Sequence, residues 1–274
     1  MGILYVAATP IGNLEDVTLR AQRVLAAVPL VAAEDTRTAA VFLRHHGLHP
    51  KLVSYNDHNK DERIPHILQR LAEGDVALVS DAGTPAISDP GVELVAAARE
   101  AGFQVIALPG VSAPVTAVSV AGLRSASFRF AGFLPRAEGE LRRSIEAAAA
   151  SEDTLGAFES PQRLRKTLSI IADLAPQRRI AVCRELTKLH EETFVGTAAE
   201  ALQHFEQPRG EIVLLLEGAP KSMRDDETDE QSLRGEVEEM KRLGLTRAQA
   251  TALLASRHAT PRRRAYQLWL DADA

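Results

Sequence analysis

The stretch that most limits what this chain can become runs from Val76 to Gly91. Val76-Ala77-Leu78-Val79 is a short unbroken apolar run, the pattern of a strand buried on both faces of a parallel sheet. The residues behind it cannot continue regular structure. Gly83, Pro85, Pro90 and Gly91 fold a loop, and Asp81, Thr84, Ser88 and Asp89 set oxygens along it. A polar loop at the carboxyl end of a buried strand is where open α/β sheets bind ligands. Taken alone, such a stretch is also compatible with a structural turn held by its own side-chain caps.

Two further units tip the balance toward a ligand site. Leu4 to Ala8 runs into Thr9-Pro10-Ile11-Gly12-Asn13-Leu14, and Val105 to Leu108 runs into Pro109-Gly110-Val111-Ser112-Ala113. Each reads as strand, Gly/Pro loop, then helix, and three such loops at neighbouring strand ends would build one shared pocket. Strands are expected near 3–8, 30–33, 51–54, 76–80 and 104–108, with helices near 17–28, 37–46, 61–73, 91–101 and 112–122. The alternation implies a mainly parallel sheet with helices on both sides.

After Gly122 the pattern changes. Phe128 to Leu134 reads as a crossing strand, Pro135-Arg136 opens a helix reaching Ser151, and strands follow near 154–159, 180–185 and 211–217. The expected organisation is an α/β domain over 1–124, a second α/β domain over 125–219, an acidic mobile linker over 220–232 and a basic helical segment over 233–274. Thr246 with Gln249 has capping-box spacing, and Thr260-Pro261 places a cap residue before a first-turn proline, so the tail reads as a small helix-turn-helix.

A chain of 274 residues with 45% hydrophobic and 25% charged side chains has the composition of a globular protein with a sizeable core. No apolar run approaches the roughly 18 residues that span a membrane, and the amino end lacks a secretion signal, so a cytoplasmic protein without membrane contact is expected. The single cysteine, Cys183, reads as a small core residue, and no Cys/His metal spacing occurs. Net charge is -5, yet residues 220–239 hold three basic and eight acidic side chains while 240–270 hold seven basic and none acidic. That split leaves a nucleic-acid partner open despite the overall sign. Dinucleotide, P-loop and nucleophile-elbow signatures are all missing.

Six ordered motifs carry a resemblance. Thr9 to Leu14, Ala33-Glu34-Asp35-Thr36-Arg37, Ser80 to Gly91, Pro109 to Ala113, Phe158-Glu159-Ser160-Pro161 and Arg184-Glu185-Leu186-Thr187-Lys188 together resemble the tetrapyrrole methylase superfamily, the class III S-adenosylmethionine-dependent methyltransferases. Within it they are most similar to the 16S rRNA cytidine 2'-O-methyltransferases, whose substrate is 16S rRNA or the small ribosomal subunit. The match covers about residues 3–218. It implies two α/β domains with S-adenosyl-L-methionine folded in the cleft between them, and a homodimer. Carried over by position, the cofactor contacts are Thr9, Ile11, Gly12, Asp81, Gly83, Thr84, Ile87, Ser112, Ala113, Phe158 and Glu159.

The implied chemistry is one in-line displacement at a sulfonium methyl, so positioning supplies much of the rate, and a hydroxyl nucleophile gains from a base. Asp35 and His58 follow predicted strands and are the candidate bases. Against them, Asp35 has the type and position of a helix cap and His58 that of a turn residue. Arg37 is placed to orient a phosphate, and Arg136, Arg163, Arg184 and Lys188 to grip RNA. Arg262-Arg263-Arg264 oppose the dipole of the helix they open, a cost that an RNA backbone would offset. The chain departs from the pattern at Asn56 and Gln162, where relatives often carry histidine, and at Val111, where proline is commoner. Two other readings stay open: a methylase of a small tetrapyrrole-like molecule, and a nucleic-acid-binding regulator that senses the cofactor.

Overall fold

The computed structural model describes residues 2–124, 126–220, 223–257 and 262–271, and of 223–232 and 262 the backbone alone. The first half forms an all-parallel sheet of β1 (Ile3–Ala7), β2 (Leu30–Ala33), β3 (Lys51–Ser54), β4 (Val76–Val79) and β5 (Gln104–Leu108), in the order β3-β2-β4-β1-β5. All four β4 residues are buried, as an interior parallel strand demands of its side chains. Helices α1 (Leu19–Ala27) and α2 (Thr36–His45) cover one face, packing Leu25, Phe42 and Leu43 on Ala7, Val31, Ala77 and Val79. Helices α3 (Lys60–Glu73) and α4 (Val92–Glu100) cover the other, packing Ile67, Leu71 and Leu94 on Leu4, Ala32 and Leu78. Adjacent strands β1 and β4 therefore send their connections to opposite faces. The crevice between those departures opens at the carboxyl end of the sheet, the topological position for a ligand.

The second sheet contains β6 (Phe128–Phe133), β7 (Thr154–Glu159), β8 (Arg179–Arg184), β9 (Glu192–Thr197) and β10 (Ile212–Leu216), in the order β6-β7-β10-β8-β9. Only β6 and β7 run parallel; the other pairs are antiparallel. Helices α6 (Glu138–Ala150), α7 (Pro161–Leu174) and α8 (Ala198–His204) bury Ile145, Leu168 and Ala201 on one face. The other face, Ala181, Cys183, Val213 and Leu215, is covered by Ile11 and by α5 (Ala113–Ala121), both from the first half of the chain. Residues 1–219 accordingly form one compact unit.

Helices α7 and α8 and strand β9 have no counterpart in the sequence reading. The first lies behind Ser160-Pro161, a start signal that was read only as part of a motif. Strand β9 is an edge strand with a half-exposed, mixed composition, which carries little apolar signal.

Residues 220–274 form a second compact unit. Helices α9 (Met223–Arg242), α10 (Arg247–Arg257) and α11 (Arg262–Asp271) pack around Val237, Met240, Ala250, Leu254, Ala265 and Leu268. The segment 220–232, expected as a mobile linker, is helical from Met223 onward. Its acidic residues suit the amino end of a helix, and it lacks the apolar stripe that would have revealed one. Thr246 opens α10, with Gln249 Oε1 accepting from its backbone N–H at 2.9 Å. The Thr260-Pro261 start expected for α11 lies outside the described residues. Among the described residues no helix is long and apolar enough to cross a membrane.

The core shared across 1–219 makes a prediction. Leu215 is fully buried beneath α5, so Leu215→Ala should lower unfolding free energy by about 2–5 kcal/mol. Urea denaturation of the full chain measures this; a loss near zero would show that α5 does not close that face.

Candidate functional site

A cavity of about 400 Å³ lies at the carboxyl end of the first sheet, within the size range of small-molecule sites. Its floor is the junction of two loops. Thr9 and Gly83 exchange backbone hydrogen bonds at 2.8 and 2.9 Å, and the buried Thr9 hydroxyl donates to the Ser80 carbonyl at 3.2 Å. Gly83 has φ +74°, a left-handed backbone that glycine adopts without cost. Beyond it Ala86 and Ser88 are held at φ +69° and +66°, a strain of about 1–3 kcal/mol each that persists where surrounding contacts over-determine a functional loop.

The walls come from both halves. Ile11, Ile87, Phe133, Phe158, Leu186 and Val213 make apolar surface, and Ser112 and Ser160 stand at the starts of α5 and α7. Neither serine uses its hydroxyl to cap its helix, so both remain available. One end is acidic, with Glu34, Asp81 and Asp89 all lining it. Glu34 Oε2 accepts from the Asp81 N–H at 3.3 Å, and Asp81 Oδ1 accepts from the Asp35 N–H at 3.1 Å. Burial, with Asp81 nearby, pushes the Glu34 carboxyl above its ordinary value. Burial and the facing charges of Glu34 and Asp81 push Asp89 up to about 6, although the Ser80 hydroxyl bonds its charged form. Glu34 and Asp89 thus share a space that disfavours their ionisation unless a cation enters it.

This donor set fits the cofactor that the resemblance implies. S-adenosylmethionine carries a sulfonium and an ammonium, which the acidic end would attract, and an adenine, which Ile11 and Ile87 would cover. Its carboxylate suits the positive ends of α5 and α7.

Of the expected cofactor residues, Ile11, Asp81, Gly83, Thr84, Ile87, Ser112, Ala113, Phe158 and Glu159 line the cavity. Two stand apart. Thr9 is a buried strut beneath the floor, and Gly12 is a close-packing point, where an added Cβ would come within 2.4 Å of Lys188 Cγ. Glu159 lines the cavity with a saturated carboxylate: it accepts from Ser160 N–H at 2.8 Å and Thr167 hydroxyl at 2.7 Å, and Arg163 Nε lies 3.5 Å away. Cys183 also lines it, with its thiol pushed up to about 11 by burial, consistent with a packing role.

Neither Asp35 nor His58 lies in the cavity. Asp35 caps α2, accepting from the Arg37 N–H at 2.7 Å, and grips the Arg37 guanidinium, which holds its carboxyl down to about 2. His58 is exposed in the turn after Asn56, whose side chain accepts its N–H at 3.1 Å. Glu34, one residue before Asp35, and Asp89, within the organising loop, line the cavity beside Asp81; the sequence names both within motif stretches and assigns the role of base to neither. For Glu34 the available signal was residue length, since the shorter aspartate of the pair is the better helix cap.

The basic residues divide. Arg163 donates to the carbonyls of Leu134 and Pro135 at 3.1 and 2.6 Å, Arg184 pairs with Glu192 at 2.9 Å, and Lys188 bridges Glu185 and Glu211 at 2.9 and 3.0 Å. Arg37 is 90% exposed while holding Asp35. Arg136 is exposed at the entry to α6, and Arg263 and Arg264 are exposed in the first turn of α11, which Arg262 begins.

The Tetrapyrrole (Corrin/Porphyrin) Methylases family matches residues 3–202. A Synechocystis sp. protein named Ribosomal RNA small subunit methyltransferase I is 43% identical over 100% of this chain and 99% of its own length. A Thermotoga maritima protein of the same name is 45% identical, matching 80% of this chain and 99% of its own. Among solved structures, uroporphyrin-III C-methyl transferase from Thermus thermophilus complexed with S-adenyl homocysteine superposes with a TM-score of 0.54 at 21% identity, over 79% of this chain and 97% of that one. At that identity the likeness is one of fold.

The acidic end has a measurable consequence. Asp89 binds its proton more tightly in the folded chain than in the unfolded one, so its contribution to stability is present at low pH and is lost as pH rises through about 6. Asp89→Asn should therefore stabilise the ligand-free protein at pH 8, on the order of 1 kcal/mol after solvent screening, and leave it unchanged near pH 4. Thermal melts at the two pH values test this.

Proposed function

The chain belongs to the tetrapyrrole (corrin/porphyrin) methylase family and, within it, to the small-subunit ribosomal RNA methyltransferases, and on that premise we propose that it transfers the methyl group of S-adenosylmethionine to the 2'-hydroxyl of a cytidine at the decoding site of 16S rRNA. The observation that carries this reading is the 43% identity to the Synechocystis protein along the whole chain. The 21% likeness to a uroporphyrin methylase supports the fold without supporting a tetrapyrrole substrate.

S-adenosylmethionine supplies an electrophilic methyl on a sulfonium that is already a good leaving group. What the chain adds is a fixed approach for the ribose oxygen and a destination for its proton. Ile11 and Ile87 wall the cavity, and Glu34 and Asp81 attract the cationic part of the cofactor. Asp89 accepts the 2'-hydroxyl proton, its carboxyl being poised close to working pH with Glu34 beside it. Asp35 and His58, outside the cavity, have no such access. The basic tail grips the RNA backbone through Arg262, Arg263 and Arg264, and Arg136 adds a phosphate contact. We also infer a cytoplasmic homodimer, the state implied by the superfamily resemblance.

The test is transfer of labelled methyl from S-adenosylmethionine to small subunits lacking the modification, followed by nuclease digestion and mass spectrometry. The expected product is 2'-O-methylcytidine; absence of transfer to subunits and to free 16S RNA, with cofactor bound, would refute the reading. Asp89→Asn should lower kcat by about 10²–10⁴. In the parent protein kcat/KM for S-adenosylmethionine should rise with pH through about 6, a limb the variant should lack. Changing the three tail arginines to glutamine should weaken RNA binding and reduce the slope of log affinity against log salt by about two.

A further inference from the structure

We propose that Phe133 is a stacking platform for the extruded base of the nucleotide whose ribose is methylated. The proposal rests on the function above and deepens it by naming how the chain holds its substrate. A ribose oxygen in a folded RNA reaches a reacting group inside a cleft only if its nucleotide leaves the surrounding stack. The base attached to that ribose then sits at the cleft mouth and needs a replacement surface, which proteins supply with exposed aromatic rings.

Phe133 has the place and the support for this role. It lines the cavity and is 63% exposed, whereas the other large apolar side chains exposed among the described residues of 1–219, such as Leu19 and Leu189, are aliphatic. Regular pairing of β6 with β7 breaks between Phe130 and Phe133, and Gly132 there has φ +66°. Such a bulge re-aims the side chain that follows it. The Phe133 ring rests 5.3 Å from that of Phe158, which is packed edge-on by Phe130 at 5.0 Å.

The segment behind the ring is clamped. Arg163 donates to the carbonyls of both Leu134 and Pro135 and lies 3.5 Å from the buried carboxylate of Glu159. Arg163 is thus a positioning residue, fixing the backbone that carries Phe133 and the exposed Arg136 three residues later. A ring held in place before the base arrives gives up little entropy on binding, and an exposed cation three residues further along suits the phosphate of an extruded nucleotide.

The experiment uses the full chain, unmodified small subunits and S-adenosylmethionine. Base-aromatic stacking is worth about 1–3 kcal/mol, so Phe133→Ala should lower kcat/KM for subunits by roughly 5- to 150-fold. The Kd for S-adenosylmethionine, measured by calorimetry, should be unchanged. Phe133→Trp should restore the parent value, and Phe133→Leu, apolar but ringless, should fall with the alanine variant. Parent-like kcat/KM in the alanine or leucine variant would overturn the proposal. So would a parallel loss of cofactor affinity, which would place the ring against the adenine. An unsubstituted protein that binds cofactor but methylates no rRNA would overturn the parent reading and this one together; activity that is insensitive to Phe133 overturns this one alone.

Discussion

Two backbone hydrogen bonds between Thr9 and Gly83 hold together what the rest of the molecule is arranged around. They join the loops leaving β1 and β4, the neighbouring strands whose connections go to opposite faces. Without that junction the carboxyl end of the sheet would be an open notch between two independent loops. With it, Ile11 and the 84–89 loop face each other across a defined space. The hydroxyl of Thr9, bonded to the Ser80 carbonyl, is part of the same strut. This is why a residue that looks like a ligand contact in a motif serves the site from beneath.

The acidic end of the cavity shows how electrostatics and capping divide adjacent residues. Glu34 and Asp35 are consecutive carboxylates behind one strand, yet they inhabit different environments. Asp35 is committed to the start of α2 and to Arg37, and its charge is stabilised there. Glu34 reaches the Asp81 N–H in the cavity, where burial works against its charge. Asp89 is subject to the same opposition from the other side of the loop. A carboxyl pushed up to about 6, as Asp89 is, can exchange protons near neutrality, whereas one locked in an ion pair cannot.

Much of the first half was legible because a parallel sheet writes itself into sequence as short apolar runs ending in glycine and proline. The runs at 76–79 and 104–108 are cases in point, and the motif loops behind them do converge on one cavity. The second half was read less completely. Strand β9 lies at an edge and alternates weakly, α7 was hidden behind a motif, and the acidic start of α9 has no apolar face to betray it. Ion-pair partners were not legible at all, even where they lie within a few residues. Arg163, Arg184 and Lys188 look like free cations until the fold brings Glu159, Glu192, Glu185 and Glu211 beside them. A motif can place a residue at a strand end, but it cannot say which carboxylate will already be waiting there.

The strand order of the second sheet has a consequence for biosynthesis. Its central strand, β10, is the last of its strands to be made, and both neighbours, β7 and β8, pair with it directly. Until residues 212–216 emerge from the ribosome, the β6-β7 and β8-β9 pairs are separate ribbons, each with an open edge where β10 will pair. Those edges are templates for mispairing. The interval before β10 arrives is therefore the stage at which the nascent chain is most exposed to aggregation, and chains released before that point would carry two unclosed edges instead of one complete sheet.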